Sequence, residues 1–113
     1  METSDGPSSL PSPDPVNVKL LALLGLANRA GKLALGYSAI DKMVRRQQRP
    51  LILLVADIGA SQQSKVERWK TEADLVQTGL TGEDLARALG RDKLSMVAVS
   101  ETGFVKGIKK IIS

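Results

Sequence analysis

The run LILLVA, Leu51 to Ala56, limits the possible folds of this chain more than any other stretch. It is short and continuously apolar, so neither of its two faces is suited to water. Such a segment reads as a strand covered on both sides, the kind found in sheets with helices packed above and below. LSMVAVS, Leu94 to Ser100, reads the same way.

The stretches around these two runs have helical spacing or turn chemistry. Asn17 can cap a helix over Val18 to Ala30, with Leu20, Leu23, Leu24, Ala27 and Ala30 on one face, Leu21 and Leu26 widening it, and Gly31 at its end. Lys32 to Leu35 is a short strand candidate and Gly36 a turn. Ser38 can cap a helix to about Gln47 whose inner face is Ile40, Met43, Val44 and Gln47, before Pro50 stops it. Beyond LILLVA the chain leaves the sheet at Asp57 to Gly59. Ser61 or Ser64 opens a polar helix to about Glu72, anchored by Val66 and Trp69. Leu75 to Gly79 is a weaker strand. Thr81 with Asp84 resembles a capping box ahead of Leu85, Ala88 and Leu89. Thr102 starts a last helix with Phe104, Ile108 and Ile111 inward. Helices and strands alternate throughout, which predicts one α/β domain, a three-layer α/β/α sandwich, over residues 18–113. Residues 1–17, rich in Ser and Pro and almost without apolar groups, read as a flexible tail.

Several chemistries are excluded by composition. The chain of 113 residues has no Cys and no His, so disulfides, thiolate or imidazole metal sites and imidazole acid–base catalysis are absent. One Trp, one Tyr and one Phe leave the core to Leu, Ile, Val and Ala. GLANRAGKLALG, Gly25 to Gly36, has spaced glycines and a lysine but not the Lys-Ser/Thr ending of a phosphate loop. Asp57 ends a central strand, where catalytic acids often sit, but it has no neighbouring carboxylate, and a loop-capping role is the plainer reading. No cofactor or metal is expected. Neither a membrane span nor the basic-then-apolar order of a signal peptide is visible, so a cytoplasmic location and no membrane partner are expected.

The net charge of +4 is unevenly placed. Between residues 18 and 50, Lys19, Arg29, Lys32, Lys42, Arg45, Arg46 and Arg49 face only Asp41. On a helix opened by Ser38, Lys42, Arg45, Arg46 and Arg49 fall within about 100 degrees of one another. The amino end of that helix offers free N–H groups to phosphate, and Lys32 can enlarge the patch. Tyr37 is its one aromatic residue, so a structured RNA held by its backbone suits it better than a stacked single strand.

These residues resemble a known family. GYSAIDKMVRRQQRPLILLVADI from Gly36, LLGLANRAGKL from Leu23 and TGEDLARALGRDKLSMVAVSETGF from Thr81 are similar to the ribosomal-protein superfamily that binds kink-turn RNA, in its small bacterial branch. The resemblance implies a mixed four-stranded sheet and RNA binding at the turn after the first strand. The signature of the turn falls on Gly36, Tyr37, Ser38, Ala39, Ile40, Asp41 and Lys42. Gly36 and Lys42 match it, whereas Ser38 and Ala39 replace the asparagine and glutamate that read paired bases. A second RNA-facing loop falls on Gly90 to Leu94, with Arg91 and Lys93. The expectation is a monomeric, non-enzymatic binder of structured RNA, kink-turn-like, ribosomal or messenger. The first rival is a protein–protein module for an acidic ribosomal or transcription-factor surface; the second is a small enzyme working through Asp57.

Overall fold

A computed structural model of the chain describes residues 14–113. Most of the expected tail, residues 1–13, lies outside the described residues. The first helix, α1 (Pro15–Arg29), starts before Asn17: Asp14 is its N-cap, accepting from the Val16 N–H at 2.9 Å, and Pro15 fills a first-turn position that needs no donor. Asn17 is inside the helix, where its side-chain amide donates to the Gly79 carbonyl at 3.2 Å.

Then come β1 (Leu33–Leu35), α2 (Tyr37–Arg45), β2 (Leu51–Leu54), α3 (Ala60–Val66) running into a 3-10 turn at Glu67–Trp69, β3 (Asp74–Gln77), α4 (Gly82–Ala88), β4 (Met96–Val99) and α5 (Thr102–Ile112). The strand order is β1-β4-β2-β3. β2 and β3 are parallel, and β4 runs antiparallel to both β1 and β2. The sheet is therefore mixed, and its two interior strands are the two continuously apolar runs.

The strand pleat divides the core in two. Leu51 and Leu53 of β2 lie opposite Val99 and Val97 of β4 and pack with Leu20 and Leu24 of α1, Leu85 of α4 and Ile108 of α5. Ile52 and Leu54 lie opposite Ala98 and Met96 and pack with Ile40 and Val44 of α2, Val66 of α3 and Trp69. Each large aliphatic side chain removed from water this way contributes roughly 1.5–3 kcal/mol before ordering costs. Helices thus cover both faces of the sheet, giving the three expected layers.

Local details differ from the sequence expectation. Gly36, not Ser38, is the N-cap of α2, and Gly59, not Ser61 or Ser64, that of α3. Thr102 does start α5, with Glu101 before it as the N-cap, accepting from the Phe104 N–H at 2.8 Å. Thr81 does cap α4, accepting from Asp84 N–H at 3.1 Å. Leu26 is 55% exposed and Ala88 is exposed too, because α1 and α4 bury narrower stripes than their apolar content suggests, whereas Ala30 and Gln47 are exposed because they lie past the ends of α1 and α2.

Candidate nucleic-acid interface

Because β1, β2 and β3 point the same way and β4 the other, the carboxyl ends of three strands and the amino end of the fourth meet at one edge of the sheet. A groove of about 930 Å³ opens there. Gly36 and Tyr37 line it from the β1–α2 turn, Asp57 from the end of β2, and Arg91, Lys93 and Ser95 from the α4–β4 loop. The turn after the first strand and the loop before the last are 55 positions apart in sequence, counting Gly36 to Arg91, yet form one surface.

Gly36 has φ 85° and ψ 170°, a conformation that side-chain-bearing residues rarely adopt. Its N–H donates to the Met96 carbonyl at 3.2 Å and its carbonyl accepts from Ile40 at 3.1 Å. With no side chain, it cannot cap, so the first N–H groups of α2 lack a capping oxygen. Asp57 accepts from the Gly82 N–H at 2.8 Å and so ties the end of β2 to the start of α4, which is the loop-capping role read from the sequence. Gly82 leaves little room for a side chain: a Cβ there would stand 3.0 Å from the Leu94 carbonyl oxygen. The groove is mixed in charge. Arg87 lies on its wall paired with Glu83 at 3.2 Å and Asp84 at 3.6 Å, and Asp92 lies between Arg91 and Lys93. Among the described residues, no group of three or more Asp, Glu, His or Cys comes together in a metal-holding arrangement.

The residues singled out from the sequence divide into three places. Gly36, Tyr37, Arg91 and Lys93 share the groove. Ser38, Lys42, Arg45 and Arg46 lie along the outward face of α2 and are exposed, while Ala39 turns half-buried toward the sheet. Arg45 is bound to Asp41 at 2.9 Å; Lys42 and Arg46 form no ion pair with a described residue. Arg49 does not extend this row, because α2 stops at Arg45. Arg49 sits in a turn at φ 46° with its guanidinium donating to the Thr71 carbonyl at 3.3 Å. Lys32, at the amino end of β1, is on the opposite edge of the sheet, beside a hollow of about 310 Å³ shared with Met43, Gln48 and Glu101.

The chain is 33% identical over 95 residues to the RNA-binding protein YlxQ of Bacillus subtilis (strain 168), a match covering 80% of this chain and 89% of that protein. The chain belongs to the YlxQ family. A solved structure of a protein of unknown function from Bacillus halodurans C superimposes with a TM-score of 0.73 at 29% identity, over 83% of this chain and 96% of that one. No protein-family profile matches. No described helix of this YlxQ relative is long and apolar enough to cross a membrane.

Sequence reading missed the surroundings of Tyr37 in this family member. Its ring stacks on Trp69, centroids 4.7 Å apart and planes 27° from parallel, so it is not a free platform for a base. The Arg68 guanidinium donates to the Tyr37 hydroxyl at 3.0 Å, and the Lys65 ammonium stands 5.6 Å from the ring centroid. That hydrogen bond, with the nearby phenol, pushes the arginine pKa further up from an already high ordinary value, so its charge is permanent. The signal in the sequence was limited to Lys65 and Arg68, three residues apart on the polar helix that Trp69 anchors.

Proposed function

We propose that the chain is a non-enzymatic module that binds structured RNA across the groove edge and the outer face of α2. The observation that supports this most is the meeting of the Gly36 turn, the uncapped first turn of α2, Arg91 and Lys93 in one groove. The name of its B. subtilis relative agrees with RNA as the ligand.

In this reading Gly36 lets the RNA backbone approach closely, and Lys42 and Arg46 hold phosphates along the helix. Arg91 and Lys93 close the groove from the opposite wall. Arg45, partly engaged by Asp41, contributes its remaining donors. Ser38 and Ala39 supply neither a side-chain amide nor a carboxylate, so recognition rests on backbone shape more than on base edges. A kink-turn-like bend, in ribosomal or messenger RNA, would present two backbone segments to the two sides of the groove.

Binding of a labelled kink-turn RNA and of a straight duplex of equal length, each at several salt concentrations, tests the reading. The bent RNA should bind more tightly. Alanine at Lys42, Arg45 and Arg46 together, or at Arg91 and Lys93 together, should weaken binding about tenfold or more and flatten its salt dependence by about one unit for each phosphate no longer held. Unchanged affinity in both variants would reject the site. Capture of a partner that survives nuclease treatment would instead favour an acidic protein ligand.

A further inference from the structure

Along α2, Tyr37, Asp41 and Arg45 recur at four-residue spacing, so they lie on one side of the helix. Across from them stand Lys65 of α3 and Arg68 of the 3-10 turn, both exposed. Arg68 meets the Tyr37 hydroxyl, and it also feels the charge of Asp41, which holds Arg45. The seam between these two elements therefore has Lys65, Arg68 and Arg45 against Asp41, a surplus of positive charge that starts at the rim of the groove, where Tyr37 is a wall residue. Glu72 lies near enough to act on Arg68, but makes no ion pair with it among the described residues.

We propose that Lys65 and Arg68 bind the sugar–phosphate backbone of the RNA where it leaves the groove, and that Tyr37 is the positioning residue that holds them there. This rests on the RNA-binding reading above and extends it to a seam that the sequence had not marked. The chemistry suits a phosphate. A guanidinium has five N–H donors, and the phenol occupies one, leaving the rest of the fork free for an anionic oxygen. Fixing one corner of the fork removes rotamer freedom before the ligand arrives, so less is lost on binding. Tyr37 is itself fixed by its stack on Trp69, which is buried, so the whole arrangement is anchored in the core.

The test uses the full chain and a kink-turn RNA in salt titrations. Arg68→Ala should lower affinity about three- to tenfold and reduce the salt slope by about one. Lys65→Ala should act in the same direction. Tyr37→Phe keeps the stack but removes the acceptor. It should lower affinity by a smaller factor while leaving the thermal midpoint nearly unchanged, and it should have no further effect once Arg68 is alanine. If Arg68→Ala and Lys65→Ala bind with unchanged affinity and slope while the Arg91 and Lys93 double variant is weakened, the seam is overturned and the RNA-binding reading stands. If the unaltered chain binds no RNA, that reading fails first and the seam with it.

Discussion

Gly36 is the residue on which the groove turns. A Cβ at this position would meet nothing within 4 Å, so replacing it with alanine creates no clash, yet its φ of 85° would still be strained for any side chain. Gly36→Ala should therefore cost about 1–2 kcal/mol of stability through backbone strain alone, measured by urea unfolding, and should loosen the start of α2. Asp57 gives a contrasting case. Removing its carboxylate in Asp57→Ala leaves the Gly82 N–H without its acceptor and should cost about 1 kcal/mol in the same urea measurement. Aspartate just after a strand looks the same in sequence whether it caps or catalyses; the 2.8 Å hydrogen bond from Gly82 shows the capping role. Lys65 and Arg68 were not legible as a pair with Tyr37, because what joins them is an aromatic stack between residues 32 positions apart, Tyr37 and Trp69.

Three helices end with the same hydrogen-bond pattern. After α1, Lys32 and Gly31 donate to the Ala27 and Asn28 carbonyls; after α4, Arg91 and Gly90 donate to Ala86 and Arg87. After α2, Gln48 and Gln47 donate to Met43 and Val44. In the first two the left-handed position is glycine, at φ 71° and 72°; in the third it is Gln47, at φ 60°. Gln47→Gly should thus stabilise the protein by about 0.5–1 kcal/mol, seen as a raised urea midpoint with an unchanged slope. This also explains why the end of α2 was misplaced from sequence. The glycines at 31 and 90 announce their helix ends, whereas a glutamine forced into the same conformation does not. The interior strands were legible for the opposite reason. Burial of both faces of β2 and β4 removes every polar residue from Leu51–Leu54 and Met96–Val99, and every residue of both strands is buried.

At the scale of the whole molecule, the positive charge read as one patch is spread over two edges. α2 is about 13 Å long and runs from the groove toward the opposite edge, so Gly36 and Arg49 lie near its two ends. Lys32→Ala and Arg49→Ala should accordingly change RNA affinity less than about twofold, against the larger loss expected for the Arg91 and Lys93 double variant; equal losses in a binding titration would show that the RNA spans both edges. The layered fold was readable from periodicity, but the division of charge was not, because it depends on the direction in which a single helix crosses the sheet.

The position of β4 between β1 and β2 has a consequence for the birth of the molecule. The last of the sheet's four strands to be synthesised is the one that joins the first two, so a nascent chain ending before Met96 has no way to close its sheet. Until then β1 and β2 each present an unsatisfied hydrogen-bonding side and the partly formed core stays open. Folding of this sheet must wait for β4, and arrested chains released before it should be captured by chaperones or cleaved by proteases, not accumulate as a smaller domain.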